Sequence, residues 1–329
     1  MWLIFAALTV LFWGTSETIF KKSSKGDEYS VPRLLAYNGV FFGLSGIIYM
    51  LFVYKGFNFD FLNVIRYLPI ASIFILSMWS YYHAMSAAKI SIISPIVNTS
   101  CLVTVLLSIF ILKEHPSAVN LVAIILIIFS LAMLSINKTP EDDIEKDLLY
   151  NRRCEADDNV VQRSNPASLP RYKVTGLLRR CAPRNDVALP IYIISLLFAF
   201  GYFILDGIAS FLVGFTLEER MTEQDMVISH SFISFAVGIG CYIYLKIKDK
   251  NYKFKLDKPK LIGSVLETAG EYTYIYAMGA GLVSIVSPFV ASYSVVTIIL
   301  SKIFLKEKLK KKQYAWIICI LLGIIFLSI

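Results

Sequence analysis

Ser94-Pro95-Ile96-Val97 opens a stretch that closes on Leu112-Lys113-Glu114, and Ser287-Pro288-Phe289-Val290 opens another that closes on Leu305-Lys306-Glu307. A shift of 193 positions lays the first on the second without a gap, and ten of the twenty-one residues are identical. The register continues upstream, where Tyr81, Ala84, Met85, Ala87, Ser91 and Ile92 meet Tyr274, Ala277, Met278, Ala280, Ser284 and Ile285. Proline, threonine and a Lys-Glu pair are not filler in apolar segments, so the chain contains a duplicated unit.

Composition sets the environment of that unit. Hydrophobic residues make up 57% of the 329, charged residues 17%, and the mean hydropathy is +0.64. A soluble chain of this length carries about a quarter charged residues. Here the charges gather between apolar runs of the length a helix needs to cross a bilayer, about twenty residues. Runs apolar on every face exclude the alternating pattern of a membrane barrel, which leaves helices to satisfy the backbone in lipid. The chain reads as an all-α membrane protein, and its net charge of +8 speaks to orientation, not to nucleic acid. Of the five cysteines, Cys101, Cys241 and Cys319 lie singly in apolar runs, and Cys154 and Cys181 show no metal-ligand spacing. Met1 to Phe20 lacks a basic leader and reads as a first span, not a cleaved signal.

Hydrophobic runs and breakers predict ten spans, at about 2–20, 33–54, 67–88, 91–112 and 117–136, then 189–213, 226–245, 260–280, 283–304 and 313–329. The units are 1–137 and 189–329, with a polar linker at 138–188. Gly39 and Gly43 form a small-xxx-small pair that lets helices approach closely. Ser94-Pro95 and Ser287-Pro288 are expected to start helices, as a cap residue and a first-turn proline. Five spans per unit is an odd number, so the second unit enters the membrane from the opposite side. The halves are then inverted repeats around a central cavity, an arrangement common in secondary transporters, with the solute site at their interface.

Orientation follows from the basic residues. Of the 32 Lys and Arg, 27 fall in odd-numbered loops and four in even-numbered ones; without the linker the ratio is still 17 to four. Odd loops and the linker are expected in the cytoplasm, with both termini outside. The linker holds seven of the chain's ten arginines, at 152–184, but one of its 22 lysines there, Lys173. That shift in codon habit, and the phrase Gly176 to Asp186, resemble translated dispersed repeats of bacterial genomes. Insertion is one reading and an ordinary solvated linker the other; both predict disorder or loose helix.

The doubled unit, the Ser-Pro of the fourth and ninth spans, the closing Leu-Lys-Glu, and Phe12-Trp13-Gly14 with its echo Phe200-Gly201 resemble the EamA branch of the drug/metabolite transporter superfamily. The resemblance covers all ten spans but not the linker. It implies ten transmembrane helices as two inverted five-helix repeats, and export of amino acids, drugs or other metabolites across a bacterial inner membrane. Known relatives are usually drawn with cytoplasmic termini; the charges here say the reverse. Ser16 to Ser23 also looks like the first-helix end of the small four-helix multidrug exporters, whose coupling glutamate would fall on Trp13 here, with Glu17 one turn later.

An ionisable group within a span costs about 2.5–3.5 kcal/mol on insertion scales and so faces a cavity or a partner. Glu267 and Glu271 are four apart in the eighth span and share a helix face. Two adjacent carboxylates in low dielectric do not both ionise cheaply, so the pair can trade a proton for a cationic solute; the alternative is a hydrogen-bonded structural pair. Asp206 in the sixth span and Glu17 in the first are further acids, with a polar lock and snorkelling as their bland readings. His83 and His230 stand alone, as packing histidines usually do, and Lys302 lies one turn from a basic loop. Trp13, Tyr202 and Tyr276 are candidates to stack on a ring or cation, against simple packing. Asn98, Thr104, Ser294 and Thr297 are candidate hydrogen-bond donors, against helix–helix contact.

The acids point to a cationic or zwitterionic solute, or to proton antiport, in a secondary exporter working by alternating access. A non-transporting scaffold or sensor, or an intramembrane enzyme, are the alternatives. Three scattered histidines (His83, His115, His230) and no phosphate-cradling Gly-rich Lys-Ser/Thr loop argue against catalysis and ATP drive. No cofactor or metal is expected; the partners are a small-molecule solute and the lipid bilayer, not nucleic acid, and the chain is a monomer or homodimer.

Overall fold

The computed structural model describes residues 1–23, 30–53, 59–87, 96–136, 185–248, 257–304 and 309–327. Among them the elements are helices: α1 (Trp2–Ser23), α2 (Ser30–Val53), α3 (Leu62–Ala87), α4 (Cys101–Phe110), α5 (Ala118–Ile136), α6 (Asn185–Glu219), α7 (Glu223–Lys248), α8 (Lys258–Ala280), α9 (Val283–Ala291), α10 (Tyr293–Phe304) and α11 (Lys311–Leu327). Seven are long and apolar enough to cross a membrane: α1, α2, α3, α5, α6, α7 and the α9–α10 pair. The other three expected spans fall on α4, with ten described residues, on α11, with 17, and on α8. Helix α8 has the length, at 23 residues, but Glu267 and Glu271 lower its hydropathy. The expected linker lies outside the described residues up to 184, and α6 begins at Asn185.

Helices pack as α1 on α8, α2 on α7, α3 on α6 and α5 on α11. The α1–α8 contact runs as an antiparallel ladder. Trp2 lies against Gly281, Phe5 against Tyr276, Thr9 against Thr273, Trp13 against Gly270, Ser16 against Glu267 and Phe20 against Gly263. Helices α2 and α7 are antiparallel too. Gly39 meets Gly238, Gly43 meets Phe235, Gly46 meets Ser231, and Met50 joins Ile228 in one apolar cluster. A Cβ on Gly39 would stand 2.6 Å from Gly238 Cα, so glycine on both helices is what lets the two backbones touch. At the third such seam, Gly323 of α11 lies on Ile127 and Trp316 on Phe129 of α5, again antiparallel.

The 193-residue shift maps onto these pairs. Adding it to α2 lands on α7, adding it to α5 lands on α11, and the α1–α8 contact becomes the α6–α3 contact. The same exchange relates atoms. A Cβ on Gly14 would meet Val296 Cβ at 2.6 Å and the Tyr293 carbonyl at 2.9 Å; one on Gly207 would meet Val103 Cβ at 2.5 Å and the Ser100 carbonyl at 2.7 Å. The echo of Gly14 is therefore Gly207, next to Asp206, and not the expected Phe200-Gly201. Gly201 makes only ordinary contact, its Cβ position being 3.6 Å from Ser80 Oγ.

A second expectation is corrected at the ninth span. Ser287-Pro288 does not start a helix; Pro288 lies inside α9, which begins at Val283. The physical reason is Glu114. Its buried carboxylate accepts the Val283 N–H at 2.7 Å on Oε1 and the Ser284 N–H at 2.8 Å on Oε2. Two of the helix's four free N–H groups are met there, so the helix starts five residues ahead of the proline. Lys113, at φ 56°, takes the left-handed backbone that turns the chain after α4 and brings Glu114 back inside. Ser94-Pro95 lies outside the described residues.

Candidate functional site

The acid pair of α8 is the centre of a polar cluster in the bundle. Ser16 Oγ, from α1, donates to Glu267 Oε2 at 2.8 Å. One turn on, Glu271 Oε1 lies 3.6 Å from His230 Nδ1 of α7, with side chains 13% and 17% exposed. The hydroxyl of Tyr67, a fully buried residue of α3, is 3.0 Å from the same nitrogen. Asp206 of α6 accepts from Ser100 Oγ at 2.7 Å and is hydrogen-bonded to Tyr202. Glu17 of α1 accepts from Thr297 Oγ1 of α10 at 2.7 Å.

These four carboxylates share one electrostatic neighbourhood. Glu271 feels the charges of Glu267 and Asp206, Glu267 feels that of Glu17, and the Tyr293 hydroxyl feels Glu17, Asp206 and Glu267. Among the described residues no Lys or Arg pairs with any of the four. Uncompensated carboxylates out of water repel one another and attract protons or cations. Aromatic rings on the same helices pack on one another. Trp13 packs on Tyr274 at 5.1 Å between centroids and on Tyr293 at 5.9 Å, and Tyr202 on Tyr81 at 5.4 Å. Trp13 Nε1 is buried and finds no acceptor among the described residues. A second hydroxyl network borders the site, where Tyr272 lies 2.7 Å from both Ser45 and Ser231.

Several expected residues fall elsewhere. Asn98 donates to Ser135 at 2.8 Å, tying the α4 end to α5, and Ser294 of α10 donates to the carbonyl of Ala291, the last residue of α9, 3.1 Å away. Thr104 donates to the Gly207 carbonyl at 3.0 Å, a helix–helix clasp beside Asp206. Tyr276 is hydrogen-bonded to Tyr49 and stacked on Phe5 at 5.4 Å, a turn beyond Glu271. His83 lies on α3, but its side chain is outside the described residues. Lys302 lies over the Tyr314 ring, 5.0 Å from its centroid. Ser16, Ser100 and Tyr67 were not expected; each is a polar residue in an apolar run, which is the only mark sequence leaves of them. Among the described residues no three His, Cys, Asp or Glu side chains are grouped to hold a metal ion.

The profile of the EamA-like transporter family matches residues 1–136 and 193–329. This chain belongs to that family. Two EamA units are present, one on each side of the linker, in a multi-pass membrane protein. An uncharacterised protein of Methanocaldococcus jannaschii is 32% identical over 126 residues, which are 37% of this chain and 88% of that one. One solved crystal structure superposes with a TM-score of 0.67 at 14% identity, covering 99% of this chain and 95% of the other. At that identity the likeness speaks to fold alone.

Proposed function

We propose that this EamA-family protein is a secondary active exporter that moves a small organic cation across the cell membrane in exchange for protons. It works by alternating access of two inverted five-helix units. The observation that carries the reading is the convergence of Glu17, Asp206, Glu267 and Glu271 with no Lys or Arg partner among the described residues, His230 beside Glu271 being the one base at hand. A cationic solute supplies the missing charge, and Trp13, Tyr202 and Tyr293 offer ring faces to it. Glu267 and Glu271 hold protons when the solute is absent and release them when it binds.

The antiparallel packing of α2 on α7 and of α5 on α11 supports inversion, because the shift that superposes the units pairs these helices with each other. A relative of which 126 residues are 88% fits a fold built from one repeated unit. The odd loops and the linker face the cytoplasm by their basic residues.

The test is ethidium, polyamine and amino-acid flux in proteoliposomes under a pH gradient, for the wild type, Glu267→Gln and Glu271→Gln. The reading expects a solute among these to move, and both variants to lose its pH dependence. Unaltered pH dependence in both removes the coupling, and binding without flux makes the protein a sensor or scaffold.

A further inference from the structure

We infer that His230 relays protons between Glu271 and the end of the bundle at which α3 and α7 begin, with Tyr67 as the hydroxyl that orients its ring. The inference rests on the proposed function, in which Glu271 gives up and takes back a proton.

Two groups compete for one nitrogen. Tyr67 Oη is 3.0 Å from His230 Nδ1 and Glu271 Oε1 is 3.6 Å from it. The imidazole is held between the Phe42 ring, 4.9 Å between centroids, and the Tyr67 ring, 5.8 Å away, so it cannot turn freely to other partners. In the resting arrangement Nε2 carries the ring's proton and the Tyr67 hydroxyl donates to Nδ1. When Glu271 is protonated, its O–H bond breaks and an N–H bond forms at Nδ1, leaving a carboxylate beside an imidazolium. Tyr67 then turns its oxygen into an acceptor. Loss of the Nε2 proton to water reaching it from that end leaves a neutral ring protonated at Nδ1, so one proton enters and one leaves, and water-mediated exchange of the ring proton from Nδ1 to Nε2 returns the resting tautomer.

Placement gives the relay a direction. Glu267 and Glu271 are one turn apart near the middle of α8, whereas His230 is the eighth residue of α7 and Tyr67 the sixth of α3. At 1.5 Å per residue these lie about 10 Å and about 8 Å from the helix starts. The order Glu267, Glu271, His230, Tyr67 therefore steps from the bundle centre toward that end. The groups facing the histidine are named by element. Helix α3 brings Tyr67; α8 brings Glu271, with Glu267 behind it; α6 brings Asp206, which acts on Glu271; and α2 brings the apolar Phe42 ring. The repeat does not require a histidine here, since its counterpart 193 positions earlier is Tyr37.

Two measurements test the relay. In protein labelled with ¹⁵N at its three histidines, the resonance lost in His230→Gln identifies His230. Glu271→Gln and Tyr67→Phe should each shift its Nδ1 signal; an unmoved signal in Glu271→Gln overturns the inference. In proteoliposomes, His230→Gln should slow pH-driven ethidium efflux by about a hundredfold, the scale of a positioned proton-transfer group. Ethidium exchange at equal pH, which needs no net proton transfer, should persist. Equal loss of both modes would make His230 a structural residue, and unchanged efflux would remove it from the path. If the wild type carries no ethidium in either mode, the proposed cation transport fails for this probe, while the ¹⁵N shifts still decide whether His230 and Glu271 share a proton.

Discussion

Thr104 Oγ1 donates to the Gly207 carbonyl at 3.0 Å, and 193 residues further on Thr297 Oγ1 lies 3.3 Å from the carbonyl of Gly14. Each contact joins the fourth expected span of one unit, α4 or the α9–α10 pair, to the first helix of the other. Each is lined by a valine, Val103 or Val296, against a glycine with no room for a Cβ. The pair forms two matching clasps across the interface between the units.

Gly207→Ala tests a clasp. The added methyl would stand 2.5 Å from Val103 Cβ and 2.7 Å from the Ser100 carbonyl, and neither a β-branched side chain nor backbone can swing away. A loss of about 1–3 kcal/mol is expected for such overpacking, read as a lower melting temperature in detergent. Adding Val103→Ala should recover part of it.

The residues that obey the repeat and those that break it do different work, which explains what sequence could disclose. Gly14, Val103, Thr104 and Leu-Lys-Glu recur at the 193-residue shift; structurally the first three clasp and Glu114 caps, while the second Leu-Lys-Glu lies outside the described residues. The acids do not recur. Asp206 aligns with Trp13, Glu267 with Phe74, Glu271 with Met78 and Glu17 with Ser210. The doubled unit and the apolar runs were legible because periodicity and composition are local properties. Glu267 and Glu271 were legible as a pair because four residues is one helical turn. Their partners were not, since Ser16 is 251 residues from Glu267 and Ser100 is 106 from Asp206, and sequence carries no distances. The Ser287-Pro288 helix start was misplaced for the same reason, because the cap of α9 comes from Glu114, in the segment between α4 and α5 and 169 residues from Val283.

Glu114 gives a second prediction. Its carboxylate accepts two buried N–H groups of α9, and each left unsatisfied costs about 1–3 kcal/mol. Glu114→Ala should lower stability by more than Glu114→Gln, which keeps one acceptor oxygen. Equal melting temperatures for the two variants would deny the cap its role.

Helix α7 supplies its own control. A Cβ on Gly238 would stand 2.7 Å from Gly39 Cα, whereas nothing lies within 4 Å of one on Gly240. Gly238→Ala should separate α2 from α7 and destabilise the protein. Gly240→Ala should be neutral or stabilising by up to about 1 kcal/mol, the helix preference for alanine over glycine. Thermal unfolding of the two variants side by side reads the difference.

Glu267→Gln separates chemistry from folding. The amide oxygen can still accept from Ser16, so stability should change by less than about 1 kcal/mol, while the proton-exchanging group is gone. Normal melting with lost pH-driven flux is expected; a variant that melts early would mark Glu267 as structural.

Inversion of the two units is the claim on which the rest depends, and side-specific labelling measures it. Ala118 and Lys311 are exposed, begin α5 and α11, and are 193 residues apart. In a cysteine-free background, Ala118→Cys should react with an impermeant maleimide from outside the cell and Lys311→Cys only after the cytoplasmic face is opened. Labelling of both from the same face would contradict inverted repeats and the exchange across them.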